Sequence, residues 1–141
     1  MKVLSLFDGI SCGMLALQRA GIPVECYDAF EIDKYAVTVS KRNFPVIVHH
    51  GNVYDGDFTQ FQGYDLLLGG SPCTYWSIAK KDREVDCNGE GFRLFKEYVR
   101  ALEESGCKYF LYENNYSVHQ CIKDEITRVL GVEPIMINSA L

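Results

Sequence analysis

A chain of 141 residues is the size of one domain, and its 48% hydrophobic content is enough to form a buried core. No apolar run is long enough to cross a membrane, and the first residues lack the apolar stretch of an export signal, so a cytoplasmic protein is expected. The formal net charge of -5 argues against tight binding of nucleic acid by this chain alone, because such affinity comes mainly from Lys and Arg.

The six cysteines are widely spaced, and no two of them form a Cys-x-x-Cys pair. Without an export signal, free thiols are expected rather than disulfides or a zinc site. His49 and His50 are adjacent on a predicted strand, where neighbouring side chains face opposite ways, which favours structural roles. The sequence therefore predicts no metal site.

Apolar runs and helical spacings alternate along the chain. The predicted strands are residues 2–7, 24–31, 46–48, 65–69, 108–113 and 132–141, and the predicted helices are residues 14–20, 33–43, 92 to about 106, and 118–130. This alternation is typical of an α/β fold with a doubly wound, mostly parallel sheet.

Polar groups follow the first two predicted strands. Gly9 and Gly13 lie in the turn after the first strand, where the backbone N–H groups can approach a ligand. The turn lacks G-x-G-x-x-G, which argues against a dinucleotide site. Glu31 ends the second strand and is placed to accept hydrogen bonds from ribose hydroxyls. The residues alone also allow an ordinary turn and a solvated acid at a helix start.

Cys73 is predicted at the tip of a stiff turn. A buried apolar run ends in Gly69-Gly70, and Ser71-Pro72 follow directly before the cysteine. The two glycines permit a sharp turn, and Pro72 fixes its own φ angle. A cysteine just beyond a strand of an open α/β sheet lies where such folds bind ligands. This setting favours a reactive thiol over the buried structural cysteine that is more common.

Three motifs resemble those of the cytosine-5 DNA methyltransferases. Residues 69–73, with Trp76-Ser77 after them, resemble the nucleophile motif of that family. Glu113-Asn114 resembles its Glu-Asn-Val motif, with Asn115 in place of valine. Residues 7–9, with Gly13, resemble the first motif, which cradles S-adenosylmethionine. The likeness is nearest to bacterial and phage enzymes and to the animal de novo enzymes, and it covers essentially all 141 residues.

The resemblance implies a methyl transfer from S-adenosylmethionine to carbon 5 of a cytosine flipped out of DNA. Cys73 would add to carbon 6 as the covalent nucleophile, and Glu113 would hydrogen-bond the ring. Asn52 stands where the family usually has an acid that meets the adenine amino group. The implied catalytic residues are Pro72, Cys73, Glu113 and Asn114, and the implied cofactor-binding residues are Phe7, Asp8, Gly9, Ile10, Gly13, Glu31, Ile32, Asn52, Val53 and Gly70.

A polar run without periodicity, residues 80–91, is predicted to be a long loop. In the family this loop closes over DNA and carries the nucleophile with it. Lys80, Lys81 and Arg83 are the best phosphate-binding candidates, although a merely solvated loop fits them equally well. Tyr75 and Trp76 would exclude water from the site or would simply pack.

The resemblance covers only the front part of the catalytic domain. The family continues with a Gln-x-Arg-x-Arg motif, an antiparallel strand, a target-recognition domain and a final helix of the cofactor pocket, so residues 1–141 are expected to form a partial cofactor-binding and catalytic core. Self-association or a complementary C-terminal chain is therefore expected, because unpaired strand edges invite strand addition. A tRNA cytosine-5 methyltransferase and a catalytically silent cofactor- or partner-binding fragment remain the alternatives.

Overall fold

The computed structural model of the chain describes residues 1–140. The strands are β1 (Lys2–Leu6), β2 (Cys26–Phe30), β3 (Val48–His49), β4 (Leu66–Gly69) and β5 (Tyr109–Tyr112), and the α-helices are α1 (Cys12–Arg19), α2 (Lys34–Asn43), α3 (Glu90–Ser105) and α4 (Gln120–Leu130). Three short 3₁₀ turns lie at Val53–Asp55, Phe58–Phe61 and Cys73–Tyr75.

The described strands form one parallel sheet in the order β3-β2-β1-β4-β5. β1 is central, because it pairs with β2 on one side and with β4 on the other. Leu6 is in register with Phe30 and with Gly69, and Gly69 is in register with Tyr112. The carboxyl ends of four strands therefore lie side by side. The predicted doubly wound, parallel α/β fold is confirmed.

Both faces of the sheet are covered, which explains why four consecutive residues of β1, Val3 to Leu6, are buried. Consecutive residues of β1 face opposite sides of the sheet and enter different clusters. Val3 packs with Met14 and Leu17 of α1, and Leu4 packs with Tyr98 of α3. All five side chains are buried. The period of two along the strand thus places one helix layer on each face.

The strongest amphipathic helix of the sequence is α3. Phe92, Phe95, Tyr98 and Ala101 recur at three-residue spacing, and all four are buried. The helix ends at Gly106, whose φ of 63° is the left-handed conformation that glycine adopts readily. The predicted helix is therefore confirmed, with a start two residues earlier than expected.

The predicted strand at residues 132–141 is wrong over residues 132–140, which form no helix or strand and are exposed. Ile135 and Ile137 are 86% and 83% exposed. The apolar pattern is typical of a strand, but a strand forms only beside a hydrogen-bonding neighbour. The segment pairs with none of the five described strands. Leu141 lies outside the described residues.

No helix within residues 1–140 combines the length and the apolar character that a membrane span requires.

Candidate active site at the carboxyl ends of the strands

Cys73 lies at the surface, just beyond the carboxyl end of β4. It begins the 3₁₀ turn Cys73–Tyr75, and its carbonyl accepts the N–H groups of Trp76 and Ser77 at 3.0 and 2.8 Å. Pro72 precedes it with a φ of -52°. The thiol is exposed, whereas that of Cys107 is buried. The turn thus exposes the Cys73 side chain to solvent, while hydrogen bonds to the Cys73 carbonyl hold its backbone in place.

Glu113 directly follows β5 and lies against the turn that carries Cys73. Its N–H donates to the carbonyl of Gly69 at 2.9 Å, which extends the pairing of the two strands by one residue. A Cβ at Gly70 would lie 2.3 Å from the Glu113 carbonyl oxygen and 3.1 Å from its Oε2. Glu113 itself is exposed. The structure therefore brings together Gly70, Glu113 and the turn bearing Cys73.

Asn114 ties the end of β5 to the same turn. Its Nδ2 donates to the Ser71 carbonyl at 3.1 Å, and its Oδ1 accepts the N–H of Asn115 at 2.8 Å. Both ends of the amide are thus used within the chain. The sequence predicts Asn114 among the catalytic residues, and these contacts connect it to the turn at Ser71.

The turn after β1 has an unusual backbone. Phe7, Gly9 and Ser11 have φ angles of 56°, 59° and 69°. Two of the three are not glycine, and such left-handed residues cost free energy that the surrounding structure must offset. A Cβ at Gly9 would meet nothing within 4 Å, so the space beside it is open. Ile10 also faces solvent.

The Asp8 side chain stabilises this turn through hydrogen bonds within the protein. Its carboxylate accepts hydrogen bonds from the hydroxyls of Ser5, Ser11 and Tyr27 at 2.6, 2.5 and 2.6 Å. Burial, followed by the charge of Asp8, raises the pKa of Tyr27, so the phenol remains a donor. Asp8 was predicted to contact the cofactor, but its side chain is directed into the protein. Gly13 packs against Tyr27, because a Cβ there would be 2.8 Å from the Tyr27 hydroxyl oxygen.

Glu31 joins the turn after β1 to the end of β2. Its Oε2 accepts the N–H of Gly9 at 2.7 Å, and its Oε1 accepts the N–H groups of Ile32 and Asp33 at 2.9 Å each. A carboxylate offers about four acceptor positions, so roughly one remains free. Glu31 is half-buried, and the side chain of Ile32 beside it is exposed.

Asn52 and Val53 follow β3 and differ in exposure. The Oδ1 of Asn52 accepts the N–H of Tyr54 at 3.0 Å and so caps the 3₁₀ turn that begins at Val53. Asn52 is exposed, whereas the side chain of Val53 is buried in the core. A contact of Val53 with a ligand would therefore involve its backbone.

His49, the last residue of β3, and His50, which follows it, each lie within hydrogen-bond distance of another side chain. His49 Nε2 lies 3.3 Å from Ser40 Oγ, and that hydroxyl lies 2.5 Å from Ser11 Oγ. His50 Nε2 lies 2.7 Å from Asp28 Oδ1. No group of three or more His, Cys, Asp or Glu residues within residues 1–140 is arranged to hold a metal ion.

The segment after Cys73 is fastened to two helices. Glu84 accepts the N–H groups of Glu90 and Gly91 at 2.9 and 3.0 Å, so it caps the start of α3. Arg83 Nη1 donates to the Ser117 carbonyl at 2.8 Å. Trp76 is fully buried in the cluster that joins α3 to α4, so it packs.

Sequence reasoning missed two of these features. Glu84 caps a helix that begins six residues later, and the only local sign was Gly89, which has no side chain to cap it. The second is a hydroxyl pair between Ser71 and Tyr112, whose oxygens lie 2.6 Å apart. No spacing in the sequence connects two residues that are 41 positions apart.

Several known proteins share sequence similarity with this chain. A family model described as C-5 cytosine-specific DNA methylase matches residues 1–130. The chain is 38% identical over 118 residues to the orphan methyltransferase M.SPRI of Bacillus phage SPR, covering 81% of this chain and 26% of that protein. It is 34% identical over 116 residues to the type II methyltransferase M.HgiCII of Herpetosiphon aurantiacus, covering 80% and 25%.

Solved structures show the same fold. A DNMT2 variant from Spodoptera frugiperda superposes with a TM-score of 0.65 at 22% identity, over 92% of this chain and 40% of that one. The Dnmt2 methyltransferase of S. pombe gives 0.63 at 18% identity, over 93% and 41%. The chain spans about a quarter of the length of the curated relatives that it matches. On the match over residues 1–130, the chain belongs to the C-5 cytosine-specific DNA methylase family.

Proposed function

We propose that this chain is the cofactor-binding and catalytic part of a DNA cytosine-5 methyltransferase. The observation that carries the proposal is the placement of an exposed Cys73 and of Glu113 at adjoining strand ends, packed together through Gly70. Membership of the family supports it. The reaction would transfer a methyl group to carbon 5 of a cytosine.

The chemistry follows from what a thiolate does to a pyrimidine ring. Carbon 5 of cytosine is a weak nucleophile, and addition of the Cys73 thiolate to carbon 6 makes the ring an enamine. A carboxyl group at Glu113 would hydrogen-bond the ring nitrogen and exocyclic amine and stabilise the charge that develops. After methyl transfer, water acting as a base would accept the proton from carbon 5, and the electrons of that C–H bond would restore the ring double bond. The carbon–sulfur bond would break at the same time, and its electron pair would return to Cys73 as the thiolate. Carbon 6 is inaccessible inside a duplex, so the base must be flipped out.

S-adenosylmethionine is the proposed methyl donor, and bound to this chain it would supply an electrophilic methyl group. The residues fit such a ligand. The backbone at Gly9 has open space beside it, and the Glu31 carboxylate retains about one acceptor position for a ribose hydroxyl. Ile32 and Asn52 are both exposed. The remaining residues of the proposed cofactor site would be Phe7, Ile10, Gly13, Val53 and Gly70. Asp8 would contribute indirectly, by holding the turn after β1 in shape.

The test of the nucleophile is covalent trapping on DNA that contains 5-fluorocytosine, because fluorine on carbon 5 prevents release of the thiol. In the protein as its gene encodes it, Cys73→Ser should abolish both the adduct and methyl transfer. Cys121→Ser is the matched control, since Cys121 is also exposed, and Cys107→Ser is a buried control. An adduct at another cysteine, or one formed with RNA and not with DNA, would contradict the proposal.

The cofactor assignment is tested by calorimetry with S-adenosylmethionine. We expect weak binding by residues 1–141, and Glu31→Ala should weaken it by about ten- to a hundredfold, because one hydrogen bond to a charged group is lost. Glu25→Ala removes an exposed acid of the same type and should leave the affinity unchanged. Equal affinities of the two variants for S-adenosylmethionine would show that Glu31 does not bind the cofactor.

We also propose that DNA binding and turnover require polypeptide in addition to residues 1–141. The net charge of -5 gives this chain little attraction for phosphate. Among the strands of residues 1–140, β5 pairs only with β4, and its Tyr109 and Leu111 side chains are exposed. A further strand, from a complementary C-terminal chain or from a second copy, would pair with this edge.

A further inference from the structure

We propose that the Tyr112 hydroxyl is a positioning group for Cys73, acting through Ser71 on the turn that carries the thiol. This inference rests on the proposed function, since it concerns the same nucleophile. Tyr112 is the last residue of β5, and Ser71 is two residues before Cys73. Their oxygens lie 2.6 Å apart, and Ser71 is 3% exposed.

The Tyr112 ring is held firmly, so its hydroxyl is a fixed point. The ring centroid lies 5.2 Å from that of Phe95 and 5.0 Å from that of Tyr98, both on α3. Burial raises the pKa of Tyr112, so the hydroxyl stays protonated at neutral pH. Asn114 Nδ2 lies 3.4 Å from the same oxygen and donates to the Ser71 carbonyl at 3.1 Å. Two polar groups, the Tyr112 hydroxyl and the Asn114 amide, thus hold Ser71 against the end of β5.

Holding Ser71 in place also restricts the position of Cys73, because the backbone between them has little conformational freedom. Pro72 is the only residue between them, and its ring fixes the φ angle. Adjacent residues of β5 also act on adjacent residues of the turn. Tyr112 bonds Ser71, and Glu113 packs on Gly70. The hydroxyl pair therefore sets the distance between the nucleophile and Glu113, and reaction rates depend steeply on such distances.

The test compares two tyrosines that lose the same atom. Tyr112→Phe removes the hydroxyl that bonds Ser71, and Tyr98→Phe removes a neighbouring hydroxyl that donates to the Leu67 carbonyl at 3.3 Å, away from the turn. In the protein as its gene encodes it, Tyr112→Phe should lower kcat for methyl transfer about tenfold and leave KM for S-adenosylmethionine within about twofold. Tyr98→Phe should change kcat by less than about twofold.

The partner hydroxyl gives a second comparison. Ser71→Ala should lower kcat as much as Tyr112→Phe does, and the double variant should lose no more than either single one, because both remove the same contact. Ser71→Thr keeps a hydroxyl and should retain most of the wild-type kcat. Additive losses in the double variant would overturn the proposal.

The rate of amide hydrogen exchange in residues 70–77 tests the positioning role of Tyr112 without requiring methyl transfer. On this chain, Tyr112→Phe should speed exchange in that segment, and Tyr98→Phe should not. Equal exchange and equal kcat in the two variants would overturn the inference and leave the proposed function intact. If the wild type instead shows no Cys73-dependent methyl transfer, the proposed function fails, and the exchange experiment alone judges the role of Tyr112.

Discussion

The backbone of Gly70 lies so close to Glu113 that a Cβ on Gly70 would be 2.3 Å from the Glu113 carbonyl oxygen. Side-chain carbons do not approach backbone atoms to this distance, so only glycine allows the contact. The turn after β4 and the end of β5 can therefore pack backbone against backbone. This contact places the start of the segment bearing Cys73 directly beside Glu113.

Gly70→Ala should force these two backbone segments apart. We expect a loss of about 1–3 kcal/mol in the free energy of unfolding, as for other overpacked sites, and a strong loss of the 5-fluorocytosine adduct at Cys73. Gly63→Ala is the control, because Gly63 has a φ of 87° and open space around it. That change costs about 1–2 kcal/mol in backbone strain and should leave the adduct unchanged. A wild-type rate of adduct formation in Gly70→Ala would refute the idea.

His49 should make the stability of the chain depend on pH. Burial is the largest cause that lowers the pKa of His49 below its usual value, with Lys41 and His50 acting the same way and Asp8 opposing them. The Nδ1 atom of His49 is buried without a hydrogen-bond partner, so protonation would add an unsatisfied donor.

The sign of this effect follows from proton binding. Between the two pKa values the unfolded chain binds more protons than the folded chain, so the free energy of unfolding falls as pH drops through about 6.5 and levels off below the folded pKa. His49→Gln removes the titrating group and should flatten this part of the curve in urea titrations from about pH 7.5 to about pH 5. Parallel losses in wild type and variant would assign the effect to other groups.

Arg100 fastens the loop after β3 to α3. Its guanidinium donates to the carbonyls of Val53 and Gly56 at 3.0 and 2.8 Å and lies 4.4 Å from the ring centroid of Phe58. It also pairs with Glu97 at 2.6 Å. One side chain thus satisfies two backbone carbonyls and covers an aromatic ring.

Arg100→Ala should destabilise the fold by about 2–4 kcal/mol, since two partly buried carbonyls lose their partners and packing is lost. Arg128→Ala is the matched control, because Arg128 also pairs with a glutamate three residues earlier, Glu125, but bonds no loop. Its effect on the urea midpoint should be small, as for other exposed pairs. Similar midpoints for the two variants would show that the loop contacts add nothing.

The exposed edge of β5 should drive association of residues 1–141. Static light scattering at increasing concentration should show an average mass above that of the 16.0 kDa chain. Leu111→Lys places a charge on the edge strand and should reduce the association, since charged edges resist strand pairing. Ile78→Lys is the control, because Ile78 is also apolar and exposed but lies outside the sheet. A monomer at all concentrations would count against pairing through β5.

The sequence predicted the parts of the fold that depend on local pattern. Apolar runs located β1, β4 and β5 to within one residue at each end, because burial on both faces leaves a continuous signal. Glycine and proline marked the turn that bears Cys73, since these residues restrict or free the backbone locally. A glycine, Gly106, likewise marked the end of α3.

The contacts that shape the site could not be predicted in this way. Asp8 was expected among the cofactor-binding residues, and its carboxylate also accepts the hydroxyls of Ser5 on β1, Ser11 just before α1 and Tyr27 on β2. Ser71 and Tyr112 meet only because β4 and β5 are neighbours. The expected strand at residues 132–141 failed for a related reason, because its pattern specifies an apolar segment but supplies no partner strand.

The burial of Trp76 gives the chain a built-in optical probe. Trp76 is the single tryptophan of the sequence, lies three residues after Cys73, and is fully buried with Phe92 and Ile122. Fluorescence excited at the red edge of indole absorption therefore arises from one place, the junction of the Cys73 segment with α3 and α4. A shift of the emission to longer wavelength would report the release of that segment into water, without a label and without any substitution.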